Sequence, residues 1–343
     1  MSNTLDPTNV PSNTVDVFDS SGHLLAGGTF TGAQALQEAV SFADANGTND
    51  IVSAGAGTYT GDLSVTAAMT IESAHGAGTV TTIGDGTNPA NDAAIRVADG
   101  VSGVHIGADG HGLTIQMSAT EQGSVYLAGN NSDTVIEGNN LVGVLGANPA
   151  ENADLITGGG QHNLVVNDNT FSGNASFAAY VNGEANVNNP SWGSFTNNNI
   201  TEQNATVVLD FGSNHEAVTQ SMVNNDHFVG NNGFLALQDA GVIASHIDGA
   251  EVSTINAGYS LHGDVSLVTS VLDGGQELDQ ISNWNSGVAI DTADNWLGAP
   301  GSTGTAQQVD SNDVSISLSN GGEIDLTGNH VTVAQVMHDY YFV

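Results

Sequence analysis

The sequence contains no cysteine and only one lysine or arginine, Arg96, in 343 residues. Without cysteine, a disulfide scaffold and a thiolate metal site are both excluded. Binding to nucleic acid or to anionic membranes depends on basic side chains, so we expect no nucleic-acid partner. No apolar run reaches the length of a transmembrane helix, and the first residues do not have the pattern of a cleaved signal peptide. We therefore expect no membrane insertion.

Acidic residues are in large excess. There are 37 Asp and Glu residues, the formal net charge is −36, and 39% of the residues are hydrophobic. The apolar fraction is sufficient for a folded core, but so many carboxylates repel one another in a compact state unless cations screen or bridge them. Ca²⁺ prefers the oxygen ligands that Asp, Asn and backbone carbonyls provide. The composition thus predicts calcium as a structural cofactor, with ligands that the sequence does not identify.

Clusters of asparagine recur at a nearly constant interval. Each cluster is followed by an apolar residue, and these residues, Leu141, Phe171, Ile200 and Phe228, are 30, 29 and 28 positions apart. A repeat of this length is typical of solenoids. Asn tolerates the left-handed conformation that tight corners need, and amides at the same corner of successive coils can hydrogen-bond along the stack. We expect the four apolar residues to stack in the core.

The apolar pattern predicts one helix and many short strands. Residues 14–32 alternate as a hairpin does. Residues 31–47 predict a helix, with Thr31 as N-cap and Gly47 at its end. The segment "ALQEAVSFADANGTNDIVSAGAGTYTGDLSVTAAMTI" (35–71) resembles the opening of pectin-lyase-like, right-handed parallel β-helix proteins. The segment "VAIDTADNWLGAPG" (288–301) is similar to a coil of such repeat proteins.

The resemblance implies an all-β fold, a single-stranded right-handed parallel β-helix with an N-terminal capping helix at 33–46. We expect one elongated domain at 31–335, preceded by an arm or hairpin at 1–30. A C-terminal tail at 336–343 follows. Its ending, Asp339 and four apolar residues, resembles the export signal of type I-secreted bacterial proteins, and a docking strand is the alternative interpretation.

Enzymes with this resemblance cleave or epimerise acidic polysaccharides, but their signatures are missing here. Family lyases use Arg or Lys beside the substrate carboxylate, and Arg96 occupies an outward strand position. His111 lies in a "GHG" sequence that matches only part of a polygalacturonase motif, and Tyr59 in "GTYTG" belongs to the structural opening. The eleven His are scattered, which is unfavourable for a transition-metal site. We predict no catalytic and no cofactor-binding residue, and the metal ligands are unknown.

Two features keep a carbohydrate function open. A glycosidase needs two carboxylates at a set separation, which pairs such as Asp273 with Asp279 or Asp168 with Asp226 could provide. A sugar-binding groove would use aromatic side chains, of which Trp192 and Tyr180 are the candidates.

The sequence as a whole favours a non-catalytic extracellular structural protein that self-associates into a surface layer, matrix or filament and is stabilised by calcium. We expect it to be secreted and to lie at the cell surface of a Gram-negative bacterium. The expected partners are further copies in head-to-tail assembly and a cell-surface polysaccharide. The alternatives are a polysaccharide-active enzyme (a lyase, glycosidase or tailspike-like depolymerase) and a glycan-binding module.

Overall fold

The computed structural model describes residues 8–201 except 48, 77, 87–92, 146–151 and 183–192, and, beyond 201, the strands given below with residues 309–311 and 332–334. The chain divides into two compact units. Residues 1–181 with 191–193 form the first, and residues 182–190 with 194–343 form the second.

The first unit is built from short strands and one helix. Its described elements are, in chain order, β1 (Thr14–Phe18), β2 (Leu24–Thr31), α1 (Ala35–Asn46), β3 (Asp50–Ala54), β4 (Gly57–Thr60), β5 (Leu63–Val65), β6 (Met69–Ser73), β7 (Val80–Ile83), β8 (Ala93–Val97), β9 (His105–Ile106), β10 (Thr114–Gln116), β11 (Gly123–Leu127), β12 (Val135–Glu137), β13 (Asn140–Gly143), β14 (Ala153–Thr157), β15 (Leu164–Asn167), β16 (Thr170–Gly173) and β17 (Phe177–Asn182).

Strands β3 to β17 enter three parallel sheets in strict rotation. Sheet A takes β3, β6, β9, β12 and β15; sheet B takes β4, β7, β10, β13 and β16; sheet C takes β5, β8, β11, β14 and β17. The β1–β2 hairpin extends sheet A with antiparallel pairing. Three successive strands therefore make one circuit, and circuits pair with their neighbours. The unit is all-β with stacked parallel sheets, an arrangement compatible with a β-solenoid.

Each sheet contributes a row of buried side chains to one core. The rows, in register from circuit to circuit, are Val52, Ile71, Ile106, Ile136 and Val166 in sheet A; Tyr59, Thr82, Ile115, Leu141 and Phe171 in sheet B; and Leu63, Ile95, Val125, Leu155 and Ala179 in sheet C. Full burial of a large apolar side chain contributes roughly 1.5–3 kcal/mol before the entropy of ordering it is counted.

Helix α1 covers one end of this core. It packs against β1 and β3 of sheet A, β4 of sheet B and β5 of sheet C, with Leu36, Ala39, Val40 and Ala43 buried. The predicted helix is thus confirmed, but its predicted N-cap is wrong. Thr31 pairs with Thr14 as the last residue of β2, so the chain is still extended there and the helix begins later.

Asparagines at the corner between sheets A and B form the predicted amide ladder. Asn139 and Asn169 are buried, and the Asn139 Nδ2 donates to Asn169 Oδ1 at 3.2 Å. The left-handed conformation falls on the preceding residues, Gly138 (φ 69°) and Asp168 (φ 53°). Directly after this corner Leu141 pairs in register with Phe171, which confirms their predicted stacking.

The second unit also consists mainly of strands. Its described strands are β18 (Gly193–Thr196), β19 (Asn199–Ile200), β20 (Thr206–Asp210), β21 (Ala217–Thr219), β22 (Val223–Asn224), β23 (His227–Phe228), β24 (Phe234–Gln238), β25 (Val242–Ala244), β26 (Glu251–Val252), β27 (Leu267–Val268), β28 (Leu278–Ile281), β29 (Ile290–Asp291), β30 (Gly304–Gln308), β31 (Asp313–Leu318) and β32 (Glu323–Thr327).

Most pairs in the second unit are parallel, including β19 with β23, where Ile200 pairs with Phe228 as the repeat predicts. The exceptions are β30, β31 and β32, which form an antiparallel meander. Four residues separate β30 from β31 and β31 from β32, a length suited to hairpin loops rather than to a circuit. Residues 336–343 and most of the "NWLG" segment lie outside the described residues.

Candidate functional site

The outer face of sheet C carries the most distinctive surface of the first unit. Because successive residues of a strand point to opposite faces, the neighbours of the buried core row form an outward row. That row, in register across five strands, is Ser64, Arg96, Tyr126, Ile156 and Tyr180. The sequence places one polar, one cationic and three large apolar or aromatic side chains side by side on this face.

The apolar part of the row lines an open groove of about 280 Å³, here called the sheet C groove. It is lined by Gln122, Tyr126, Ala153, Ile156, Thr157, Phe177 and Tyr180. The Phe177 and Tyr180 rings meet edge to face, with centroids 6.0 Å apart and planes at 80°. None of the seven described lining residues is acidic, although the chain has 37 acidic residues.

Arg96 lies at one side of this groove. Its guanidinium carbon is 4.7 Å from the centre of the Tyr126 ring, a cation–π arrangement. The sequence interpretation of Arg96 as an outward strand residue agrees with its half-buried position in β8. What the sequence could not indicate is that the chain's one guanidinium covers an aromatic ring.

The other residues singled out in the sequence have structural surroundings. Tyr59 is buried, and its hydroxyl donates to the Gly55 carbonyl at 2.7 Å. His111 Nδ1 lies 2.8 Å from the Ser73 carbonyl oxygen. Burial raises the pKa of neighbouring Glu72, and the charge of His111 partly opposes that shift. Neither Tyr59 nor His111 lies among the residues that line the groove.

The suggested carboxylate pairs stay predictions, because one member of each pair lies outside the described residues. Asp168 is an exposed corner residue, Asp279 falls in β28, and Asp226 and Asp273 lie outside the described residues, as does Trp192. Within the described part of the chain, no group of three or more His, Asp or Glu side chains is arranged to hold a metal ion. Of the aromatic candidates, Tyr180 does line the groove.

Sequence reasoning missed Tyr126 and Ile156, the centre of the groove. They lie 30 residues apart in equivalent strands, β11 and β14, so the same repeat that revealed the asparagine corner contains the signal. This signal is hard to recognise in the sequence, because the equivalent positions hold an aromatic residue in β11 and an aliphatic residue in β14 instead of one recurring residue type.

Comparisons with protein-family models, with curated proteins and with solved structures gave no match. In the described residues, no helix has the length and apolar character needed to cross a membrane. The fold and the site define a class of protein: an all-β protein of stacked parallel sheets with an aromatic groove on the outer face of one sheet.

Proposed function

We propose that the chain is a non-catalytic extracellular protein of the right-handed parallel β-helix type that binds an uncharged polysaccharide in the sheet C groove. The observation that carries the proposal is the row Tyr126, Ile156 and Tyr180 on three adjacent strands. Pyranose rings have apolar C–H faces that pack on aromatic rings, while an aromatic-lined groove with few polar groups is the usual form of a ligand site.

The spacing of the row supports an extended chain ligand. Adjacent strands are about 4.8 Å apart, so the two tyrosines stand about 10 Å apart across the strands. That distance is comparable to the length of a disaccharide, and a saccharide chain lying across the strands would contact both rings. Gln122 and Thr157 supply hydrogen-bonding groups at the lining, which can orient sugar hydroxyls.

Electrostatics favours an uncharged glycan over an acidic one. A chain of net charge −36 repels polyanions at a distance. The single guanidinium, that of Arg96, is already stacked on Tyr126. The groove is therefore unsuited to the acidic polysaccharides on which the lyases and epimerases of the resembling family act.

The lining also gives no support to turnover. Glycoside hydrolysis requires two carboxyl groups, one to protonate the leaving oxygen and one as base or nucleophile. The described lining residues include none. Binding without chemistry is the function that the groove supports best.

Retention on immobilised polysaccharides tests the proposal. We expect retention on a neutral β-glucan and none on alginate or polygalacturonate. Tyr126→Ala and Tyr180→Ala should each weaken retention on the order of tenfold, because one stacked ring contributes roughly 1 kcal/mol or more. His105→Ala, an exposed change on the outer face of sheet A, is the matched control and should bind like the wild type. Absence of retention on every neutral glycan would contradict the proposal. Release of new reducing or unsaturated ends from a polysaccharide would support the alternative that the protein is an enzyme.

Self-association, calcium stabilisation and secretion stay predictions from the sequence. Electron micrographs in calcium and in chelator test the first two. Ordered layers or filaments that require calcium would support both, whereas dispersed monomers in both conditions would contradict them.

A further inference from the structure

Two carboxyl groups are buried together at the corner between sheets B and C. Asp62 precedes β5 in the first circuit and Glu121 precedes β11 in the third, and each residue is 3% exposed. Both carboxyl groups lie against the same stretch of backbone in the second circuit, since Asp62 contacts the N–H of Asp85 and Glu121 contacts Gly84. The pair lies outside the sheet C groove, and the proposed glycan binding does not use it.

The surrounding loops hold both carboxyl groups in place. Asp62 Oδ1 accepts backbone N–H bonds from Asp85 at 2.8 Å and Gly86 at 3.2 Å. Glu121 Oε2 accepts the N–H of Ser118. The Glu121 carboxylate rests on Gly84, where an added Cβ would lie 2.2 Å from both of its oxygens. Gly84, Asp85 and Gly86 of the second circuit therefore contact the two acids.

The pair cannot carry two full charges at low cost. Glu121 Oε1 is buried and has no hydrogen-bond donor among the described residues. Burial, and then the neighbouring Asp62, raise the pKa of Glu121 to about 8. A carboxyl group that keeps its proton supplies the missing donor, since a protonated acid can hydrogen-bond to a carboxylate.

We propose that Asp62 and Glu121 share one proton at neutral pH, and that this proton links the first and third circuits as a latch that opens in alkaline solution. The other groups at the corner do not supply a competing charge of opposite sign. Gln37 of α1 donates to the Asp62 carbonyl and Asn152 to the Glu121 carbonyl, and both are neutral. Among the described residues of these loops, Asp85 is the other acidic one, and it is exposed; Asp92 lies outside the described residues.

The direction of the pH response follows from proton linkage. The unfolded chain releases the Glu121 proton near the ordinary pKa of glutamate, whereas the folded pair keeps it until about pH 8. Between these values the folded state binds more protons, so its stability falls as pH rises and levels off above the folded value.

Thermal unfolding of the full chain between about pH 5 and pH 9 tests the latch. The wild-type Tm should fall across this window. Glu121→Gln should flatten the profile, because an amide donates to Asp62 at every pH. Asp85→Asn, in the same corner but exposed, should keep the wild-type slope. A Glu121→Gln profile as steep as that of the wild type would overturn the proposal.

Hydrogen exchange of the wild type gives a second measurement that does not depend on a variant folding. The amides of Asp85, Gly86 and Ser118 donate to the two carboxyl groups. After correction for the intrinsic pH dependence, their protection should drop above about pH 8. Unchanged protection contradicts the latch. A pH response that chelator abolishes would also overturn it, because the pair would then hold a metal cation in place of the proton.

Discussion

Oδ1 of Asn169 accepts two hydrogen bonds from Asn139, one from the backbone N–H at 3.0 Å and one from the side-chain amide at 3.2 Å. Asn169 Nδ2 in turn donates to the Ile136 carbonyl at 2.8 Å. The buried side-chain amide of Asn169 thus makes three hydrogen bonds to polar groups of the preceding circuit.

Replacing this residue should destabilise the first unit strongly. Asn169→Ala leaves the Asn139 amide and the Ile136 carbonyl buried without these partners, at a cost of about 2–4 kcal/mol for the several bonds lost. Asn49→Gly is the matched control. Asn49 is exposed with φ 65°, which glycine adopts freely, so its change should stay within about 0.5 kcal/mol. Chemical denaturation measures both, and equal losses would contradict the ladder as a source of stability.

Gly112 marks the closest approach of two corners. A Cβ at this position would lie 1.7 Å from the Gly138 carbonyl oxygen, so Gly112→Ala must push adjacent circuits apart and should cost about 3 kcal/mol or more. Gly22→Ala provides the comparison, since Gly22 has φ 79° and open space around it. Its cost should be only the left-handed backbone penalty of about 1 kcal/mol. The ranking of the two Tm values checks this, and a smaller effect at Gly112 would show that the corners do not touch there.

Tyr59 should make the protein sensitive to strong alkali. Burial raises the pKa of Tyr59 to about 12. Above pH 10 the unfolded chain loses the phenolic proton and the folded chain keeps it, so stability should fall by about 2–3 kcal/mol between pH 10 and pH 12.

Tyr59→Phe separates this titration from other alkaline effects. At neutral pH the variant should be about 1 kcal/mol less stable, through loss of the hydrogen bond to the Gly55 carbonyl. Between pH 10 and 12 it should lose less stability than the wild type. Denaturation midpoints across this range measure both effects, and parallel wild-type and variant curves would contradict the assignment.

Arg96 should support the groove through its contact with Tyr126. The cation–π contact is worth about 0.5–1 kcal/mol, so Arg96→Gln should weaken retention on a neutral glycan roughly two- to fivefold. The retention of Arg96→Lys should be intermediate between those of the wild type and Arg96→Gln, because an ammonium retains the charge but not the flat face of the guanidinium. His105→Asp, on the outer face of sheet A, is a control with the same change in net charge. Weaker binding by that control would point to net charge instead of ring contact.

The repeat made much of the first unit predictable. Leu141 and Phe171 could be placed in register from sequence spacing because each follows an asparagine corner. The same is true of α1, whose apolar face recurs with a helical period. Tyr59 was recognised as structural from the motif around it, and its buried hydroxyl agrees.

Other features have no local signature. Asp62 and Glu121 are 59 residues apart in the sequence. They come together only because they occupy the same corner of the first and the third circuit. A second buried ladder, from Asn131 to the Ala98 carbonyl and from Gln161 to the Ala128 carbonyl, was missed because different residue types occupy equivalent positions. By contrast, the antiparallel meander at residues 304–327 was missed although Asn320 and Gly321, a pair typical of hairpin turns, stand between its last two strands.

The structure also indicates how a chain with so many acids tolerates them. On the outside of the stack, carboxylates pair with asparagines of the next circuit: Asp99 with Asn130, Asp133 with Asn163, and Glu137 with Asn167, at 2.8–3.0 Å. Each of these carboxylates thus accepts a hydrogen bond from a neutral amide, without a positive charge being added.

The position of α1 gives construction of the first unit a direction. Because α1 covers the first circuit, each later circuit can pair only with the circuit that precedes it in the sequence. We expect vectorial growth, in which early residues nucleate and later turns zip onto them one by one. A destabilising substitution in α1 or β3 should then slow the folding of all later circuits. A comparable substitution in β16 should leave the folding of the earlier circuits unchanged.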